Sequence, residues 1–161
     1  MSSELQIMLL AMTPINELRG TIPLAVSVFG FSPFSAFFWS VLGNMLPVFF
    51  LLWFWKKAAI LLAQKIKVFN KFLNWLFSRT QKRFYLKYRR WGDIGLIFFV
   101  AVPLPFTGAW TGTVAAAIFG IRYLKALGLI FIGVLIAGII VTLLTSGFVS
   151  LGDRLFFKTI F

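Results

Sequence analysis

The chain has 161 residues, of which 60% are hydrophobic and only 12% charged, with a formal net charge of +12. A soluble domain carries about 25% charged residues, so this composition reads as one integral membrane domain. Cys and His are absent, which excludes disulfides, thiol chemistry and the usual zinc sites, and removes the side chain that most readily switches charge near neutral pH.

The first residues, Met1-Ser2-Ser3-Glu4, have no positive region and lead to no small-residue cleavage pattern, so no cleaved signal peptide is expected. Ser3-Glu4-Leu5-Gln6 has the form of a capping box opening a short helix. Leu5–Thr13 is then a nine-residue apolar piece, and Thr21–Phe29 is another, separated by Pro14-Ile15-Asn16-Glu17-Leu18-Arg19-Gly20. Each would be about 14 Å long as a helix, half of a hydrocarbon core about 30 Å thick. Phe34–Trp55 follows, 22 residues without an ionisable side chain. At about 33 Å it is long enough to cross.

Lys56–Arg90 holds 11 of the 16 basic residues and no acidic one. By the positive-inside rule this connector is cytoplasmic, together with Arg122 and Lys125. Ile66, Phe69, Leu73, Leu76 and Phe77 recur at roughly helical spacing, the pattern of an amphipathic helix on the membrane surface. It serves as a solvated orienting connector or as a contact for anionic lipid head groups. Nucleic acid is not expected as a partner, because membrane topology already accounts for the charge.

The second half repeats the plan. Ile94–Val102 and Thr113–Ile121 are again nine-residue apolar pieces, separated by Pro103-Leu104-Pro105-Phe106-Thr107-Gly108-Ala109-Trp110-Thr111-Gly112. Ala126–Leu151 is a 26-residue span, about 39 Å as a helix, so it should tilt or protrude. At an offset of ninety, Ile7, Ala11, Thr21, Ala25, Phe29, Gly30, Ala36 and Gly43 fall on Ile97, Ala101, Thr111, Ala115, Phe119, Gly120, Ala126 and Gly133.

Each pair of short pieces reads as a re-entrant hairpin that returns to its own side. One kinked spanning helix per pair is the alternative, since membrane helices tolerate Pro. With hairpins and a cytoplasmic connector the two halves run in opposite directions, and both termini lie outside. The expected fold is therefore an all-α integral membrane protein, an inverted repeat of re-entrant helical hairpin plus transmembrane helix. Residues 1–55 form the first repeat, 56–91 the basic amphipathic connector and 92–161 the second repeat. Broken hydrophobic segments at matching places in two halves point to a transport site near the midplane.

Glu17 and Arg19 are the charged residues between Glu4 and Lys56, and an ionisable group at membrane depth is a functional candidate. Partial burial would raise the Glu17 pKa toward physiological pH, which suits proton coupling. Arg19 is a permanent cation fit to hold phosphate or carboxylate. A static ion pair is the plainer reading of the two. Asn16 and Thr21 flank them as substrate contacts, and Thr107, Trp110 and Thr111 are their counterparts in the second half. Gly20-Thr21 and Thr111-Gly112-Thr113 are expected to offer unpaired N–H groups to an anion at half-helix N-termini. Gly108-x-x-x-Gly112 fits ligand binding and close helix packing equally. Trp110 reads as packing more readily than as a stacking platform. Asn44 and Pro47 should face the interior, Asn44 as an interhelical hydrogen-bond donor. Neither a metal cluster nor a nucleophile–base set is visible, so neither a cofactor nor an enzymatic activity is expected.

The stretch Pro14-Ile15-Asn16-Glu17-Leu18-Arg19-Gly20-Thr21-Ile22-Pro23-Leu24-Ala25, with Pro103–Gly112, resembles the small multidrug export protein family over nearly the whole chain. That family looks like a compact relative of the DedA (VTT-domain) membrane proteins, whose fold is associated with paired re-entrant hairpins and with flipping or scrambling lipids. The resemblance implies a transporter, with Glu17 and Arg19 matching the charged residues of the first hairpin motif. The second hairpin departs from the DedA pattern, carrying Thr107, Trp110 and Thr111 where that family has arginines.

The expected function is transport of a small amphipathic or anionic substrate, proton-coupled through Glu17, in the plasma membrane. A DedA-type lipid flippase or scramblase is one alternative, and a non-transporting structural membrane protein is another. Two spans and two hairpins give one chain little wall to enclose a cavity, so a homodimer or larger homo-oligomer is expected among membrane lipids.

Overall fold

The computed structural model describes residues 2–65, 89–102 and 107–160. Every element among them is an α-helix: α1 (Ser3–Ala11), α2 (Glu17–Ser27), α3 (Pro33–Lys65), α4 (Arg89–Ala101), α5 (Ala109–Ile118) and α6 (Tyr123–Ile160). The amphipathic pattern from Ile66 to Phe77 and the Pro103–Phe106 part of the second motif lie outside the described residues.

Two sequence expectations need correction, and the two expected spans prove to be parts of longer helices. The Ser3–Gln6 capping box does not form: Ser2 occupies the N-cap without a side-chain hydrogen bond, while the Gln6 N–H bonds the Ser2 carbonyl. The second helix begins at Glu17, not Thr21. Glu17-Leu18-Arg19 are good helix formers, and a carboxylate in the first turn suits the helix dipole. The long helices also outrun their apolar stretches, α3 continuing through Lys56 and Lys57 to Lys65 and α6 starting at Tyr123. No Gly or Pro interrupts Trp55–Lys65, so nothing local ends the helix at the edge of the apolar stretch.

Two pairs of helix boundaries recur at the same offset of ninety. Helices α1 and α4 end at Ala11 and Ala101, and α3 and α6 begin at Pro33 and Tyr123. Before each long helix the chain turns at a glycine in the left-handed region, Gly30 (φ 67°) and Gly120 (φ 63°).

Packing follows the same correspondence. Helix α1 lies on α3 and α4 on α6, while α2 and α5 each contact both long helices. A Cβ at Gly43 would stand 2.4 Å from the Met8 carbonyl oxygen, and one at Gly133 would stand 2.7 Å from Val100 Cβ and 3.0 Å from the Ile97 oxygen. Gly138 admits Phe37 in the same way where α3 meets α6. Small residues that let backbones approach are the usual means of helix association in lipid. Ile7, Leu18, Ile22, Val48, Val100, Ile130 and Val134 fill the space between, all fully buried.

The direction of α4 is set at two points. Asp93 pairs with Lys125 at the start of α6, and the turn Ile97–Val100 abuts Gly133. Helix α4 thus runs alongside α6 in the same sense, and α5 brings the chain back to Tyr123.

Two stretches are long and apolar enough to cross a membrane, Pro33–Trp55 and Tyr123–Ser150. Only 33% of the most apolar window of each is buried inside the protein, whereas a soluble core helix of such composition would be enclosed. Phe34, Phe50, Trp53 and Phe54 on α3, and Ile139, Leu143 and Phe148 on α6, face outward instead. Such an apolar belt belongs in lipid.

Candidate functional site

The first turn of α2 reaches across to the opposite half. Glu17 is buried at 7% exposure, and its backbone sits at φ 42°, in the left-handed region that a non-glycine residue rarely adopts. Its Oε1 accepts the backbone N–H of Trp110 at 3.3 Å, and the Ala109 N–H is also directed at the carboxylate. These are the leading N–H groups of α5, which have no partner inside the helix. The carboxylate therefore caps α5 in trans.

Gly108 makes this approach feasible. Its φ of 151° is open to glycine, and a Cβ there would lie 2.1 Å from Glu17 Oε2.

Two residues further on, Arg19 holds the other end of the same connection. Its Nη2 donates to the Val102 carbonyl and to Thr107 Oγ1, each at 3.1 Å. Thr107 Oγ1 in turn donates to the Val102 oxygen at 2.8 Å. Glu17 and Arg19 also favour each other's charge, against the burial that disfavours it. One turn of α2 thus fastens both sides of the α4–α5 connection.

The remaining sequence candidates divide. Thr107 joins Arg19, and the Trp110 backbone joins Glu17. Thr21 is buried, its hydroxyl donating to the Glu17 carbonyl. Asn16 precedes α2, its carbonyl accepting the Gly20 N–H at 2.8 Å. Thr111 turns back on its own helix, its hydroxyl donating to the Gly108 carbonyl at 3.4 Å.

Two of the expected N–H groups are engaged, Gly20 N–H by Asn16 and Gly112 N–H by Gly108 at 2.9 Å. In the second half Glu17 takes the N–H groups of Ala109 and Trp110, just ahead of Thr111. Gly108 and Gly112 are both used for close approach, the second with a prospective Cβ 2.6 Å from Val100 Cγ2.

Asn44 also corrects the sequence reading. It is fully buried, yet neither Nδ2 nor Oδ1 has a hydrogen-bond partner. Ser40, one turn earlier on the same face, is equally buried and unpartnered at Oγ. The Trp110 indole N–H is enclosed without a partner too. Ser40 was not among the sequence candidates. Its i, i+4 spacing with Asn44 inside an apolar span was the available signal. Among the described residues no group of three metal-ligating side chains occurs.

The family described as "Putative small multi-drug export protein" matches residues 17–140, from the first residue of α2 into α6. The chain belongs to this family. The match covers Glu17, Arg19, Gly108 and Trp110 together. No curated protein and no solved structure matches the chain, and the expected relation to DedA proteins is not shown. Membership in the small multidrug export family, with the two outward-facing apolar helices, makes this a membrane protein of general transport character rather than an enzyme.

Proposed function

We propose that the chain is a secondary transporter of a small amphipathic or anionic substrate, proton-linked through Glu17. The observation that carries this reading is the seat of the Glu17 carboxylate on the α5 N-terminus, against the Trp110 N–H. A helix N-terminus attracts an anion through its dipole and its open N–H groups. While ionised, Glu17 fills that seat itself. Once protonated it loses most of the attraction, and an anionic substrate group can take the donors, with Arg19 as a second contact. Proton uptake and substrate binding then compete through one position, which couples their free energies.

The conformational frame for this reading is an inverted repeat with re-entrant hairpins. Support comes from the helix boundaries matched at ninety residues and the paired contacts of Gly43 and Gly133. The Asp93–Lys125 pair adds to it by putting the start of α4 beside the start of α6. Ser40 and Asn44 supply buried polar atoms that substrate or water would satisfy when the halves part. A basic connector on the cytoplasmic side of the plasma membrane and assembly as a homodimer complete the proposal.

Proteoliposomes test it. A pH gradient should drive movement of an amphipathic dye or a small organic anion, and Glu17→Gln should abolish the gradient dependence. Gradient-independent movement of fluorescent phospholipid head groups would instead support a flippase or scramblase. Inactivity toward both classes would support a structural role.

A further inference from the structure

Outside the Glu17–Arg19 site, an apolar groove of about 590 Å3 opens between α1, α3 and α6. Met8, Met45, Phe49, Leu124, Gly128 and Phe131 are among its lining residues. The volume falls within the range of about 300–1,000 Å3 typical of small-ligand cavities. The groove follows the two long helices. Tyr123, at the start of α6, donates its hydroxyl to the Phe49 carbonyl, and Met8 lies against Gly43 near the middle of the first span. The groove therefore runs from mid-depth toward the end of the membrane where α6 begins.

That end is cationic. Arg122 is exposed immediately before α6 and, among the described residues, makes no ion pair; the nearby Lys125 is held by Asp93. Lys57 is exposed and folds back one turn, its Nζ 4.0 Å from the Trp53 ring centroid. Phe49, Trp53 and Lys57 share one face of α3.

The glycine floor of the groove is not repeated in the first half. A Cβ at Gly128 would meet nothing within 4 Å, whereas ninety residues earlier the matching position is Phe38. Bulky Met, Leu and Phe side chains form the walls, with one glycine as floor. A second helix, about 10 Å across, would seek a run of small residues to pack closely, and none lines this face.

We infer that the α1/α3/α6 groove binds an acyl chain of an anionic phospholipid, whose head group is held by Arg122 and Lys57. Apolar contact alone cannot select the occupant, because surrounding lipid tails are as apolar as the groove. The shape admits the chain, and the charge selects the head group. This inference is independent of the Glu17 reading, since it places a lipid on the outer face and not in the transport path.

The test is photo-crosslinking of the full chain in bilayer discs. The discs contain either phosphatidylglycerol or phosphatidylcholine bearing a diazirine in the acyl chain. Crosslinks should concentrate at Met45, Phe49 and Gly128 with phosphatidylglycerol. Arg122→Gln should reduce the preference for the anionic lipid about fivefold, the size of one basic residue's attraction to an anionic surface. Gly128→Phe, and Gly128→Leu as a second variant, should remove the groove crosslinks and leave those at Phe50 and Leu143 intact. Equal labelling by both lipids, unchanged by filling Gly128, would overturn the inference. So would disulfide-linked dimers of Gly128→Cys formed in the disc, which would put a second copy on this face.

Discussion

Glu17 Oε1 accepts the Trp110 backbone N–H at 3.3 Å although 93 residues separate them. The contact joins the first residue of α2 to the leading turn of α5, so an acidic side chain from one half caps a helix of the other. Neither group is well served alone. The carboxylate is buried, and the N–H belongs to a helix end that has no internal acceptor.

The first prediction concerns the residue that makes room for this contact. Gly108→Ala forces a side chain into a glycine-only backbone conformation, which costs about 1–3 kcal/mol. It also drives the Cβ into Glu17, 2.1 Å from Oε2. Unfolding in detergent micelles should show the loss. Adding Glu17→Ala should recover the steric part and leave the backbone part, so the double-mutant cycle should show a coupling above about 0.5 kcal/mol. Simple additivity would mean that Gly108 and Glu17 do not meet.

The second prediction separates the guanidinium from its charge. Arg19→Lys keeps a cation with several donors, but its ammonium ends one bond short of the Nη2 position, which should weaken its hold on the Val102 oxygen and Thr107 Oγ1. Each hydrogen bond is worth about 0.5–1.5 kcal/mol. Thr107→Val should cost a similar amount, and the two changes together less than their sum. Full rescue of function and stability by Lys would reduce Arg19 to a point charge.

Much of this arrangement was open to a reader of the chain, and the limits have physical causes. Low charge and two long apolar stretches mark α3 and α6 because lipid requires both. Helix ends at Ala11 and Ala101 were within reach through the repeat. The start of α2 was misplaced because Pro14 and Gly20 look like breakers, whereas Gly20 is accommodated inside the helix, its N–H bonded to Asn16. Glu17, Arg19 and Thr107 stood out as polar groups in apolar surroundings. Their partners did not, because Trp110 and Val102 act through backbone atoms that every residue has. Gly108 stood out as one end of a Gly-x-x-x-Gly pair, but only the approach of Glu17 gives it its specific task.

The third prediction uses the glycines to grade helix contacts. Gly43→Ala meets the Met8 backbone oxygen at 2.4 Å, and Gly133→Ala meets the Val100 side chain at 2.7 Å. Overpacking of this kind costs about 1–3 kcal/mol. A backbone obstacle yields less than a side chain, so Gly43→Ala should be the more damaging. Gly147→Ala has open space around its Cβ and should be neutral or stabilising by up to about 1 kcal/mol. Thermal unfolding of the three variants in one detergent checks the order. An equal effect at all three positions would remove close packing as the reason for these glycines.

The last prediction decides between hairpins and kinked spanning helices, and the absence of native Cys makes it direct. Ser2 and Ser32 flank the α1–α2 pair, and Gly92 and Arg122 lie at the two ends of the α4–α5 pair; all four are exposed. If each pair returns to the side it entered, Ser2→Cys and Ser32→Cys react with an impermeant thiol reagent from the same side. Gly92→Cys and Arg122→Cys then react from the opposite side, the one proposed as cytoplasmic from the charge of Lys56–Arg90. A pair that crosses as one kinked helix would instead label its two ends from opposite sides. The Asp93–Lys125 ion pair already joins the start of α4 to the start of α6, so the second pair should give the clearer result. Reagent access from both sides to Gly92→Cys and Arg122→Cys in sealed, right-side-out vesicles would count against the inverted arrangement altogether.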